Sequence, residues 1–239
     1  MNQLNLSKFK YLLFLMPLAL ITGPLVPEII VLFIIGYLLT ITILEKKIHI
    51  YNNNFFKFFI IICFYVLIRN YFSDYFFKNQ HISLFYFRFT VFALGIYLLD
   101  LKNENIKKFL FYGIISAFLI LLADSLYEYL NDNRLYGLKS IYDTRISSFF
   151  GDEYIMGSFV VRLLPLLFFS LLWINIKQTF FYLILFGIFI ISGILIMLSG
   201  ERVALLLFFI IFTILILLKK FRIFFFINIL FFLTIFSYF

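Results

Sequence analysis

Residues 183–198 read LILFGIFIISGILIML, a run without a single charged side chain. A strand of a transmembrane β-barrel alternates apolar and polar residues over about ten positions, and this run does not alternate, so it indicates a helix. Of all 239 residues, 64% are hydrophobic and 13% are charged, whereas about a quarter of a soluble domain is charged. The sequence therefore excludes a soluble protein and predicts an all-α, polytopic transmembrane helical bundle that forms a single domain over residues 1–239.

Apolar runs of about 17 to 25 residues, bounded by charged or Asn-rich stretches, mark the predicted spans. They number about nine and fall at residues 11–27, 28–44, 55–70, 82–99, 108–123, 154–175, 178–198, 202–218 and 221–239. The first run follows basic residues, as a signal peptide would, but further spans come directly after it. We therefore interpret it as a retained helix, with cleavage as the alternative.

The distribution of basic residues predicts a cytoplasmic amino terminus, because cytoplasmic loops carry an excess of lysine and arginine. With that orientation 12 of the 20 basic residues lie inside: Lys8, Lys10, Lys46, Lys47, Lys57, Lys102, Lys107, Lys108, Lys177, Lys219, Lys220 and Arg222. Residues 124–153 then form an external loop. The net charge of +8 largely reflects this topology and does not indicate nucleic-acid binding, although anionic headgroups of the inner leaflet would attract the basic residues.

Basic residues on the predicted outer side are mostly arginine, which binds phosphate or carboxylate through a planar, bidentate fork. The stretch at 144–165, TRISSFFGDEYIMGSFVVRLLP, places Arg145 beside the hydroxyl groups of Thr144, Ser147 and Ser148. Arg145 is therefore a candidate anion contact. The alternative is a solvated loop in which Arg145 pairs with Asp143 or Asp152.

Two further arginines lie inside predicted spans. Arg162 lies about 13 Å along its helix from Glu153, where a charge costs about 2.5 to 3.5 kcal/mol on insertion scales. We therefore expect it to face the bundle interior, with either a structural partner or a functional role. Arg88 follows His81 by seven residues, so it shares a helical face with it, and snorkelling to the outer headgroups is an equal alternative to function.

The motif LSGER at 198–202 separates two apolar runs. Glu201 suits the amino terminus of the following helix, and Arg202, two residues after Gly200, provides an anion site there. The alternative is a short external turn that keeps two spans apart. Asp152 and Glu153 point about 100° apart on a helix and do not form an acid–base pair; Asp152 suits a helix cap. The two histidines and one cysteine are dispersed, so no metal or cofactor is expected.

The order of RISSFFGDEYIMGSFVVRLLPLL and, one span later, LSGERVALLLFF resembles the O-antigen ligase and polymerase family over about residues 80–220. The resemblance implies a multi-pass protein of the bacterial inner membrane. It implies transfer of a glycan from an undecaprenyl-diphosphate carrier to the lipid A core or to another glycan. Arg145 and Arg202 would contact the diphosphate, Gly151, Asp152 and Glu153 would shape the entry to the helix, and Arg88 and Arg162 are weaker candidates.

The family usually continues into a large periplasmic segment, which in ligases carries a functional histidine, and then into further spans. The chain stops at Phe239, so we expect an amino-terminal part of a longer protein, with the general base outside it. A polytopic transporter or a lipid-linked oligosaccharide flippase is the alternative, although no internal repeat is visible. A purely structural membrane subunit would leave the separation of outer arginine from inner lysine without an explanation.

Overall fold

The computed structural model of the chain describes residues 9–44, 46, 51–72, 85–98, 104–131, 145–151, 153–172, 174 and 176–217. These residues form an all-helical protein without a strand in the described ranges. The helices are α1 (Phe9–Ile21), α2 (Leu25–Leu44), α3 (Asn54–Tyr71), α4 (Phe87–Leu98), α5 (Glu104–Asn131), α6 (Met156–Leu172), α7 (Gln178–Ser199) and α8 (Arg202–Leu217), with a 3-10 turn at Ser148–Phe150 before α6.

Each described helix coincides with one of the first eight predicted apolar runs, and the ninth run, 221–239, lies outside the described residues. Four helical segments are long and apolar enough to cross a membrane: Leu25–Leu44, Asn54–Tyr71, Lys108–Asn131 and Phe180–Ser199. Tyr11–Ile21, Phe87–Tyr97, Met156–Leu172 and Arg202–Ile214 are shorter apolar helices. The composition of these helices indicates a membrane protein.

Helix α5 differs from the sequence-based expectation at its carboxyl end. It continues to Asn131, so residues 124–131 of the predicted external loop are helical. The helix extends because Asp124 and Glu128, which suggested a loop, are buried and accept hydrogen bonds from another segment. A polar residue in a helical position is tolerated where its hydrogen-bonding groups are satisfied.

The chain divides into two compact units, one with residues 1–12 and 24–103 and one with residues 13–23 and 104–239. In the first unit, α4 packs against both α2 and α3. Gly95 of α4 permits the close approach, because a Cβ there would lie 2.8 Å from Leu38 Cδ1 and 2.9 Å from Ile34 Cγ2. Leu94 and Cys63 are buried between these helices.

In the second unit, α6 packs against α5, α7 and α8. Its buried residues recur every three to four positions, as expected for one face of a helix: Met156, Gly157, Val160, Val161, Leu164, Leu167, Phe168, Ser170 and Leu171. Phenylalanines fill the space between α6, α7 and α8, with the rings of Phe189 and Phe208 centred 4.7 and 4.5 Å from that of Phe212. This packing fixes the relative positions of the helix ends that carry the two motifs.

Candidate functional site

The two sequence motifs meet at one end of the second unit. Helix α6 begins at this end, α7 stops there at Ser199, and α8 starts there at Arg202. The segment 145–151 packs onto the same end, where it contacts both α5 and the turn between α7 and α8. We call this region, formed by Arg145–Gly151, Met156–Ser158 and Ser199–Arg202, the motif end.

Glu201 caps the amino terminus of α6 from a position more than 40 residues along the chain. The Gly157 N–H donates to Oε1 over 2.7 Å and the Ser158 N–H to Oε2 over 3.1 Å, and the Ser158 hydroxyl also donates to Oε2. A negative charge at a helix amino terminus stabilises it by about 0.3–1 kcal/mol, or up to ~2 kcal/mol when partly buried. The Glu201 carbonyl accepts the Leu205 N–H of α8 over 3.1 Å, so one residue connects two helices.

Arg145 lies directly on the turn of the second motif. Gly200 ends α7 in the left-handed conformation, with φ +64°, and its N–H donates to the Met197 carbonyl. A Cβ on Gly200 would lie 3.1 Å from Arg145 Cγ and 3.5 Å from its Nε. Next to it, the Ile146 N–H donates to the Leu198 carbonyl over 3.1 Å. Glycine at 200 therefore serves both the turn geometry and the approach of the arginine.

Ser148 anchors the segment that carries Arg145. It is buried and has a positive φ of +53°, a left-handed conformation that costs a residue with a side chain of the order of 1–3 kcal/mol. Its N–H donates to Glu128 Oε2 over 2.9 Å and its hydroxyl to Asp124 Oδ2 over 2.5 Å. The Ser147 hydroxyl closes the turn by donating to the carbonyl of Gly151, where φ is +62°.

Both predicted phosphate contacts, Arg145 and Arg202, are exposed at the motif end. The guanidinium group of neither residue forms a hydrogen bond or an ion pair with the described part of the chain. Along α8, Arg202 heads one helix face formed by Leu205, Leu206, Phe209, Ile210, Thr213 and Ile214, which borders an open space of about 650 Å³. The motif end thus presents two cations, one of them at the end of an apolar helix face.

The other two arginine candidates are placed differently. The expectation that Arg162 faces the bundle interior is wrong, because Arg162 is exposed while Val161 and Leu164 direct the apolar face of α6 to the core. Arg88 belongs to the first unit, where its Nη2 lies 2.7 Å from Oε1 of Glu28 and its guanidinium lies over the Phe89 ring at 4.8 Å. This ion pair favours the structural alternative for Arg88.

Gly151, Asp152 and Glu153 are the residues expected to shape the entry to α6. Gly151 takes the positive φ that the turn before α6 requires. Asp152, the predicted cap, lies outside the described residues. Glu153 is exposed, and its N–H donates to the Phe150 carbonyl over 3.2 Å. The carboxylate that receives the first N–H groups of α6 is that of Glu201.

Sequence reasoning gave Asp124 and Glu128 no role beyond membership of an external loop. Their spacing of four residues at the end of an apolar helical run was the available signal, because it places both side chains on one helical face. Within the described ranges, no group of three or more histidine, cysteine or acidic residues is arranged to hold a metal ion. Arg145 and Arg202 are exposed at the motif end, and a guanidinium group binds anions through a planar set of N–H donors.

Searches against protein families, curated proteins and solved structures give no match to the chain.

Proposed function

We propose that the motif end binds the diphosphate of an undecaprenyl-linked glycan, and that the chain is part of an O-antigen ligase-like or polymerase-like protein of the bacterial inner membrane. The acceptor would be the lipid A core or another glycan. The proposal rests on one observation, the contact of Arg145 with Gly200, two residues before Arg202. Motifs separated by about 50 residues in the sequence thereby contribute two exposed arginines to one end of the bundle.

A diphosphate leaving group suits this arrangement. In the transfer, the oxygen of an acceptor hydroxyl forms a bond to the anomeric carbon, and the bond from that carbon to the diphosphate oxygen breaks. Negative charge develops on the departing diphosphate, where guanidinium groups held in place stabilise it. The hydroxyl proton must pass to a general base, and neither arginine takes that role because guanidinium stays protonated.

The face of α8 below Arg202 suits the hydrocarbon part of such a carrier. It consists of leucine, isoleucine and phenylalanine side chains, with Thr213 as the single other polar residue among those that form it. An amphipathic ligand with an anionic head at Arg202 and a polyprenyl chain along α8 would match both the charge and the apolar surface.

The proposal includes the side of the membrane on which the motif end lies. With about nine spans and a cytoplasmic amino terminus, the motif end faces the outer side of the membrane, and Lys177 at the start of α7 faces the cytoplasm. Lipid-linked glycans would then meet Arg145 and Arg202 on the side where their transfer takes place. Lysine inside and arginine outside follow the positive-inside rule and the preference of arginine for phosphate.

The direct test replaces Arg145 or Arg202 by alanine in the native gene and follows surface polysaccharide on gels. Each variant is expected to lose most of the polysaccharide, because a charge-assisted hydrogen bond contributes about 1.5–3 kcal/mol, or at least tenfold in affinity. Lys177→Ala is the matched control, since Lys177 is also an exposed cation of the second unit but lies at the other end of α7. Unchanged polysaccharide in both arginine variants would rule out the proposal.

A further inference from the structure

We infer that Asp124 and Glu128 are positioning residues for Arg145: they hold Ser148 in its left-handed conformation and so fix the segment that carries the guanidinium over Gly200. The inference deepens the proposed function and rests on it for the ligand, whereas its geometric part is independent of any ligand. It gives a structural role to two carboxylates that lie inside an apolar bundle.

The two carboxylates act on the same residue. Asp124 and Glu128 lie one turn apart on α5 and are 1% and 2% exposed. One receives the hydroxyl of Ser148 and the other its backbone N–H. The backbone N–H and the side chain of Ser148 both donate hydrogen bonds to these carboxyl groups. Rotation of Ser148 out of the left-handed conformation would break both bonds, and the loss of a hydrogen bond to a buried carboxyl group in an apolar surrounding costs free energy.

The segment is fixed on its other side as well. The Ile146 N–H donates to the Leu198 carbonyl of α7. Within the segment, the Ser147 hydroxyl donates to the Gly151 carbonyl and holds the turn together. Ser147 and Ser148 are buried, and Arg145 is exposed. The arginine is thus the accessible end of an anchored segment, and a guanidinium held in place loses less freedom when it binds an anion than a mobile one would.

A matched pair of variants at Ser148 tests the effect of the backbone conformation separately from the loss of the hydroxyl group. Ser148→Ala and Ser148→Gly both remove the hydroxyl and both keep the N–H that donates to Glu128. Only glycine adopts a positive φ without steric cost. If the left-handed conformation positions Arg145, the alanine variant should bind the ligand about tenfold more weakly, and the glycine variant should stay within about threefold of the wild type, differences of about 1.4 and 0.7 kcal/mol.

The experiment uses the full chain in lipid nanodiscs, with undecaprenyl diphosphate as the probe and hydrogen exchange of residues 145–151 as a second readout. Asp124→Ala and Glu128→Ala should accelerate exchange in this segment and weaken binding about tenfold. Asp124→Asn and Glu128→Gln should rescue both, because an amide oxygen still accepts the bonds from Ser148.

The outcomes distinguish the inference from the proposed function. If Arg145→Ala binds the probe as the wild type does, the proposed function fails, while the exchange data still test the positioning. If Arg145→Ala weakens binding but the alanine variants at 124 and 128 change neither readout, the positioning inference alone is overturned. It is also overturned if the Asn and Gln variants lose binding with exchange unchanged, because the charges would then act directly. If the alanine variants at 124 and 128 do not fold, the comparison of Ser148→Ala with Ser148→Gly tests the positioning inference.

Discussion

At the scale of the residue, Glu201 shows how an apolar bundle accommodates a charged side chain. Its carboxylate receives the N–H groups of Gly157 and Ser158, which would otherwise be unsatisfied at the start of α6. The negative charge interacts favourably with the positive end of the helix dipole. In return, the N–H groups of Gly157 and Ser158 provide the carboxylate with hydrogen-bond donors. The contact requires a very close approach of α6 to the turn between α7 and α8, and Gly157 is the residue that permits it.

We expect Gly157→Ala to destabilise the protein. A Cβ at this position would lie 2.5 Å from Ser199 Oγ, 3.0 Å from Ala204 Cβ and 3.1 Å from Glu201 Oε1, and overpacking of this kind costs about 1–3 kcal/mol. Gly187→Ala is the matched control within α7, since nothing lies within 4 Å of its added Cβ, and it should be neutral or stabilising by up to ~1 kcal/mol. Thermal unfolding in detergent compares the two, and equal midpoints would contradict the expectation.

At the scale of the element, the sequence predicted most of the helices but few of their contacts. Apolar periodicity and charged punctuation are local signals, so the described helices lie where the runs were expected. The structure places Arg145 against Gly200, two residues before Arg202, and a common site for the two arginines stays a prediction. Partners such as Glu201 and Gly157, or Asp124 and Ser148, lie far apart in sequence, and only packing of the helices brings them together. The prediction for Arg162 was wrong because the apolar residues of α6 determine which face of the helix is buried, and Arg162 lies on the opposite face.

Helices α2 and α4 are connected by the ion pair of Glu28 and Arg88. Both side chains are about one third exposed, and within the described residues Glu28 Oε2 and Arg88 Nε are buried without a hydrogen-bond partner. The pair is therefore only partly satisfied. An apolar replacement of both partners removes this desolvation cost together with the attraction, whereas replacement of one partner leaves a charge without its counterion.

We therefore expect Glu28→Leu and Arg88→Leu each to destabilise the first unit, and the double variant to recover most of the loss. The coupling free energy of a contacting pair is roughly 0.5–3 kcal/mol, and partial exposure to water favours the lower half of that range. A double-mutant cycle on thermal stability in detergent measures it. Arg69→Leu, which removes an exposed arginine of α3, is the control, and additive effects of the two substitutions would contradict the expectation.

At the scale of the whole molecule, α7 connects the motif end of the second unit to the opposite end of that unit. It has 22 residues and is therefore about 33 Å long, close to the ~30 Å of a bilayer's hydrocarbon core. Lys177 precedes this helix and Gly200 follows it, so the two lie on opposite sides of any membrane that α7 crosses. The side on which the motif end lies decides whether it meets a carrier lipid presented outside, and one labelling experiment determines that side.

Cys63 is the single cysteine of the chain, and its Sγ lies 2.9 Å from Thr90 Oγ1, so Cys63→Ser should preserve the contact and provide a cysteine-free background. In that background, Arg145→Cys and Lys177→Cys each introduce one thiol at an exposed position. An impermeant maleimide should label the first in intact spheroplasts and the second only after the membrane is permeabilised, because lysine-rich loops stay in the cytoplasm. The reverse pattern would place the motif end in the cytoplasm and would exclude glycan transfer at the outer surface.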